Sequence, residues 1–497
     1  MNKKFSSLLT VLLIFSAAAS VLAKLPPEIK AICAKNRQHF AVAWDLNERI
    51  EKLSKLLYPY ETVRDEPTLL EAWEERTYAK ATLTKEEALA DTDFLFELLK
   101  YGYAAYEYFG GEAAFLAAKE NIKANLLAES FPLSAYGFGL ILGEGLNFIN
   151  DGHFAIGASI RVHSKRMYMN EEITFLPGEH GYYFEEENCA VYVEAVNGGE
   201  PEEYMWPALN EDGRIVYRLG ELLPAGNKET SAALALAENG ILTLTLKEML
   251  GSRFFGRNIY ERGEIDGIPV LGVSKFPAWL PDSPDFSRRE HLLMQEFFQS
   301  AYELRGAEAL IMDLRGHSGG DTSQGYSWLR NFTGAFFVKP AHLKARLLTE
   351  TAEKLRLLRL QRGGDPLLEL YEWFHRPREI AWDVSSGLVN FLENETVVVI
   401  LTDKYTASGA ERFVEALKQL ENSVVIGTNT AGCAMGDSAE TRLPNSQIRI
   451  NFGVSLKLPL DLTDYEGRGI LPDLWAPSGQ ALDLAVKFIH NYVKEVP

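Results

Sequence analysis

Ser408 lies in "TDKYTASGAERF", where an apolar run gives way to small residues and then to a helical pattern. Val397 to Leu401 is short, apolar and rich in β-branched residues, as a buried strand is. Phe413, Val414, Leu417 and Leu420 then recur at helical spacing. A serine at such a strand-to-helix turn can attack a carbonyl carbon, provided a base removes its proton. The plainer reading is a helix cap, because Ser408 is followed three residues on by Glu411, a capping-box pattern. Partners elsewhere in the chain must decide between nucleophile and cap.

Three other stretches offer partners. "ALIMDLRGHSGGD", residues 309 to 321, runs from a buried strand into a glycine-rich turn. Such a turn exposes backbone N–H groups that can hold an oxyanion, or it simply needs glycine for positive φ. "NFINDGHFAI" places His153 just after a helical stretch, and "DYEGRGILPD" places Glu466 before a glycine-rich turn. Singly, such a histidine reads as a surface or satisfied core residue, and such a glutamate as solvated. "GHSGG", Gly316 to Gly320, also matches the G-x-S-x-G elbow, which would make Ser318 the nucleophile of an α/β-hydrolase. That fold needs a later acid and a histidine on a loop after a late strand. His342 and His375 fall in an insert and His490 in a terminal helix, so the match reads as accidental.

The elements that must position these residues fall into blocks. Residues 24 to 83 are charged and mixed. Residues 84 to 155 read as a small helical domain, opened by the Thr84/Glu87 capping box and punctuated by Gly110-Gly111. Residues 156 to 265 change to short strands with Gly and Asn turns, a small β-rich domain. From 266 to 497 strands and helices alternate, the mark of an α/β layered core, interrupted at 340 to 395 by a charged helical insert that could serve as a lid or arm.

Bulk properties narrow the function classes. The 497 residues exceed one ordinary core, and 46% hydrophobic with 24% charged residues is a globular composition. A net charge of −19 argues against nucleic acid or an anionic membrane as main partner. Residues 1 to 23 carry Lys3 and Lys4, an apolar run, and small residues ending at Ala23, the pattern of a secretory signal. The expectation is an exported protein, secreted or periplasmic, with no membrane anchor once the signal is removed. Cys33, Cys189 and Cys433 are too few for a disulfide framework, and no Cys/His spacing suits zinc, so neither metal nor cofactor is expected.

Taken together, "IMDLRGHSGG", "TDKYTASGAE", "GTNTAG", "EGRGILPD" and "NDGH" resemble the C-terminal processing (tail-specific) serine peptidases, in the branch with the tricorn core and the interphotoreceptor retinoid-binding proteins. The resemblance spans about 84 to 497 and is strongest from 309 to 475. It implies an α/β fold with a crotonase (ClpP)-like catalytic core and a β-rich domain that is loosely PDZ-like. It implies Ser408 as nucleophile, an oxyanion hole from the N–H of Gly409 plus Gly319 or Gly320, and protein or peptide substrates. The commonest branch places a lysine base 25 residues after the serine; here that position is Cys433. A thiol is no substitute for a neutral lysine, and Cys433 reads as a small packing residue. Lys418, about 15 Å of helical rise from Ser408, cannot reach it, and Lys404 is on the strand side. The tricorn-like branch implies His153 as base and Glu466 as the acid that orients it. A relative of this kind either cleaves peptides through an acyl-enzyme or is silent and binds peptides or apolar ligands. Oligomeric state is not legible.

Overall fold

The computed structural model describes residues 25–35, 37, 44–67, 69, 80–157, 159–160, 163–226, 229–237, 240–249, 251, 258–277, 288–363, 380–387 and 391–494. The signal-like residues 1–23 and His375 lie outside them. At the centre, strands Ile268–Val273, Ala309–Asp313, Val397–Thr402 and Ser423–Gly427 run parallel in that spatial order, and Leu474–Trp475 continues the parallel run. Every residue of the middle three is buried, which explains their unbroken apolar runs: helices cover both faces. Arg288–Glu303, Ser323–Thr333 and Gly409–Leu417 bring Phe297, Trp328 and Phe413 to one face. Ala481–Ile489 brings Leu484, Ala485 and Phe488 to the other, and there it meets Ile29 and Cys33 of helix Pro27–Lys35. Part of the mixed N-terminal segment is therefore core. Arg37 then ties it down, donating to Leu420 O, Ser423 O and Asp473.

The β-rich residues form antiparallel strands with their own apolar core around Tyr168, Phe175, Val196, Leu219, Leu234 and Leu246. In Ile241–Glu248 the inward Leu244 and Leu246 alternate with exposed Thr243, Thr245 and Lys247, the period of two seen in the sequence. These strands do not make a detached sheet. Met205–Leu209 pairs in parallel with Leu474–Trp475 through Trp475 and Ala208, so one sheet, of 14 strands among the described residues, runs through both units.

The helical unit begins where the capping box puts it. Thr84 and Glu87 exchange hydrogen bonds at the start of Lys85–Gly102, whose Ala88, Leu95, Leu98 and Leu99 turn inward. Gly111–Ala128 and Ala135–Gly145 complete it. Its core is shared with Leu343, Ala345, Leu347, Phe452, Leu456 and Leu458 from the C-terminal half, so residues 84–155 are packed as part of a larger body. The stretch read as a helical insert holds the helix Glu350–Gly363 but also strands His342–Leu347 and Trp382–Ser386, which pair with each other and, through the first, with Ser455–Pro459. Among the described residues no helix is long and apolar enough to cross a membrane.

Candidate active site

Parallel neighbours place the turns that follow them side by side. Asp313 is level with Leu401, so the glycine-rich turn and the Ser408 turn leave the same edge of the sheet, where ligands of open α/β sheets bind. The two turns are stitched together. Gly316 N donates to Asp403 Oδ1 at 2.9 Å, Thr406 Oγ1 to Leu314 O at 2.8 Å, and Ala407 N to His317 O at 3.0 Å. Gly409 has no room for a side chain: a Cβ there would lie 2.4 Å from Gly320 O.

Ser408 itself adopts φ 54° and ψ −116°, a backbone region costing about 1–3 kcal/mol for a residue with a side chain. A helix cap needs no such strain; caps are ordinarily extended, as Thr84 is. Glu411 keeps its part of the capping box, accepting the Ser408 N–H at 2.9 Å. The Ser408 hydroxyl has its short contact elsewhere: Oγ lies 2.9 Å from His153 Nε2. Ser318 is not among the residues with positive φ, and its N–H is taken by Ser274 O. His342 is engaged with Glu415 and His490 lies near Asp266, so among the described residues the G-x-S-x-G match assembles no site.

His153 is held by its backbone. Its N–H donates to Asp151 Oδ1 at 2.8 Å and its carbonyl accepts from Asn451 Nδ2 at 2.6 Å. The buried Asp151 also accepts the Tyr103 hydroxyl at 2.9 Å. Burial lowers the His153 pKa below the ordinary imidazole value, keeping the ring neutral and its Nε2 able to accept a proton. Nδ1 is buried and has no hydrogen-bond partner among the described residues.

Glu466 departs from the expected contact. Its carboxylate touches no atom of the imidazole by a hydrogen bond; it accepts from Gly152 N at 2.8 Å, Ala434 N at 2.6 Å and Met435 N at 2.5 Å. It therefore anchors the loop that carries His153, one residue away from it. Burial and the Asp151 carboxylate push the Glu466 pKa well up, against the pull of the amide donors.

A second buried carboxylate does matching work. Glu411 accepts from Ser408 N, Thr430 Oγ1 (2.6 Å), Gly432 N and Cys433 N (both 2.8 Å). Residues 430–435 thus form a strap, fixed to the serine turn by Glu411 and to the histidine loop by Glu466. Where the strap crosses that loop, Gly152 is obligatory, since a Cβ there would lie 2.6 Å from both Cys433 Cβ and Sγ. Burial pushes the Cys433 thiol pKa well up, as suits a packing residue. All three cysteines are free thiols. Lys404 is turned to Glu248, and Lys418 is buried near Asp473, Arg37 and Cys33, so neither serves Ser408.

Gly319 and Gly320 both have positive φ, 94° and 112°, and press on the serine turn: a Cβ on Gly319 would sit 2.9 Å from Ser408 Cβ and 3.0 Å from Gly409 N. The Gly319 N–H is already engaged, donating to His317 Nδ1 at 3.0 Å. Asp151, Glu411 and His317 are the participants that sequence reasoning missed. Glu411 was visible only as a cap, and Asp151 and His317 only as neighbours within quoted motifs. Among the described residues no group of three or more His, Cys, Asp or Glu side chains is placed to hold a metal ion.

Comparison with known proteins gives these features a context. Residues 282–475, which include Ser408, Glu466 and the glycine-rich turn, match the model of peptidase family S41. Among solved structures, mature CPAF in complex with lactacystin is similar at 16% identity and a TM-score of 0.43, over 83% of this chain and 97% of that one. The photosystem II D1 C-terminal processing protease is similar at 13% identity and 0.34, over 80% and 94%. The tricorn protease is similar at 14% identity and 0.35, over 83% and 37%.

Proposed function

We propose, from the match of residues 282–475 to the model of peptidase family S41, that the chain is a member of that family and a serine endopeptidase that cleaves protein or peptide substrates through an acyl-enzyme. The observation that carries the proposal is the 2.9 Å approach of Ser408 Oγ to His153 Nε2, from segments 255 residues apart, at a serine with strained backbone. In the proposed cycle His153 takes the hydroxyl proton as Ser408 attacks the scissile carbonyl carbon. Backbone amides of Gly409 and of the glycine-rich turn stabilise the oxyanion. His153 then gives the proton to the leaving amine, and a water activated by the same imidazole releases the acyl group.

Glu466 enters this scheme as the acid of a Ser-His-Glu set that acts through the Gly152 amide, fixing the histidine loop. We read the core as crotonase-like and the protein as exported, the latter from its signal-like residues 1–23. A second reading, a silent member that binds peptides or apolar ligands, draws support from the unpartnered Nδ1 of His153, which lacks the acid contact a working imidazolium uses.

Fluorophosphonate labelling with mass-spectrometric mapping separates them. The peptidase reading expects label on Ser408, loss of label in Ser408→Ala, and loss of hydrolysis in both Ser408→Ala and His153→Ala without loss of fold. A well-folded wild-type chain that takes no label and cleaves no casein transfers the assignment to the binding reading.

A further inference from the structure

Two amides of the glycine-rich turn, those of Gly319 and Gly320, compete for the role of oxyanion donor, and the backbone treats them differently. The Gly319 N–H points into the protein, onto Nδ1 of His317 at 3.0 Å. The Gly319 carbonyl accepts the Phe276 N–H at 2.8 Å, while Phe276 O accepts from Asp321 N at 3.0 Å. Because the peptide unit is planar and trans, a Gly319 carbonyl aimed at Phe276 sends the Gly320 N–H the opposite way. Gly409 borders Gly320, with a Cβ on it lying 2.4 Å from Gly320 O, and Ser408 Cβ borders Gly319.

Resting on the peptidase reading above, we propose that His317 is a positioning residue that selects the oxyanion donor: by taking the Gly319 N–H it fixes the turn so that the Gly320 N–H, together with that of Gly409, faces the acyl oxygen. His317 is fully buried and its ring packs edge-on against Phe276, with centroids 4.4 Å apart. Its own carbonyl holds Ala407, the residue before the serine, so one residue links both halves of the hole. An Nδ1 that accepts requires the proton on Nε2, which is buried without a hydrogen-bond partner among the described residues. A packing residue would gain by being apolar here, since an unpaired buried N–H destabilises. What the imidazole adds over an apolar side chain is the accepting nitrogen. Burial also holds its pKa down to about 3, so it stays an acceptor across any working pH.

Three measurements on the full chain test this. His317→Leu removes the acceptor, and kcat is expected to fall about 10²–10³-fold with KM nearly unchanged, the loss seen when one oxyanion donor is misplaced. His317→Asn puts an oxygen near the place of Nδ1 and is expected to restore most of that loss. Equal kcat in wild type and His317→Leu overturns the proposal and leaves the peptidase reading intact. So does an equal loss in both variants, which is what a packing role predicts. The third readout is ¹⁵N-histidine NMR before and after reaction with diisopropyl fluorophosphate, and it holds if His317→Leu fails to fold. The expected His317 signal keeps the Nε2–H tautomer with an accepting Nδ1 in both states. Loss of that signature in the adduct shows that Gly319 swings to the oxyanion, and overturns the assignment of Gly320. A wild-type chain that forms no adduct and hydrolyses nothing overturns the peptidase reading and this proposal with it.

Discussion

Ser408 and His153 meet at hydrogen-bond distance because each is held by its backbone, and that leaves the imidazole free to titrate. Burial favours the neutral ring, so its pKa lies below the ordinary 6.5. The base form is the neutral one, so activity is present above the lowered pKa and is lost only as pH falls through it. A kcat/KM profile is expected to stay flat from neutral pH to below 6.5; a midpoint at or above 6.5 would contradict the burial argument. Cys433 makes the opposite prediction. It stands where the commoner branch of the resembling family has its lysine, but its thiol is half-buried and desolvation raises its pKa. Cys433→Ala is expected to keep kcat within about twofold and to lower stability by about 1 kcal/mol, checked by peptide hydrolysis and urea unfolding. A large loss of kcat at normal stability would give the thiol a chemical role.

At the level of elements, the strap of residues 430–435 joins the two halves of the site, and Glu411 is its main anchor. Glu411→Ala leaves the buried N–H of Gly432 and the half-buried N–H groups of Ser408 and Cys433 without their acceptor. At about 1–3 kcal/mol for each stranded donor, the variant is expected to lose at least about 3 kcal/mol and most of its activity, measured by denaturant unfolding and hydrolysis. Unchanged stability would mean the strap finds other partners. Of this anchoring only the Glu411 contact to Ser408, as a capping box, was legible in the sequence; the contacts to residues 430–435 were not. The strands and helices were, because Val397–Thr402 is apolar throughout and Gly409–Leu417 repeats at helical spacing. The approach of His153 to Ser408 was legible as well, through motifs that occur together. Glu466 was named from its motif, but its contacts were not legible, since backbone amides carry no side-chain signature. The junction of the two strand systems rests on the pairing of Trp475 with Ala208, too little pattern to read. The strands at 342–347 and 382–386 were hidden by a charged, helix-like composition around them.

Over the whole molecule, charge is buried as well as displayed. Glu415 lies beside His342 and Arg412, which hold its carboxyl down to about 2 against the effect of burial. Its folded-state pKa is thus below the unfolded value near 4.5, so its stabilisation is full above that value and is lost as pH falls from about 4.5 toward 2. Glu415→Gln is expected to flatten the acid loss of stability in that window, measured by urea unfolding at stepped pH; an unaltered slope would place the sensitivity elsewhere. The distance along the chain between the two central residues has a different consequence. Ser408 and His153 are 255 residues apart, Glu466 follows still later, and Leu474–Trp475, the interior strand that joins the two strand systems, follows Glu466. On the proposed mechanism an unfinished or half-unfolded chain carries an ordinary serine with no base beside it. Cleavage power then arrives only once residues from both strand systems have come together, so a partly folded chain leaves the proteins around it uncut.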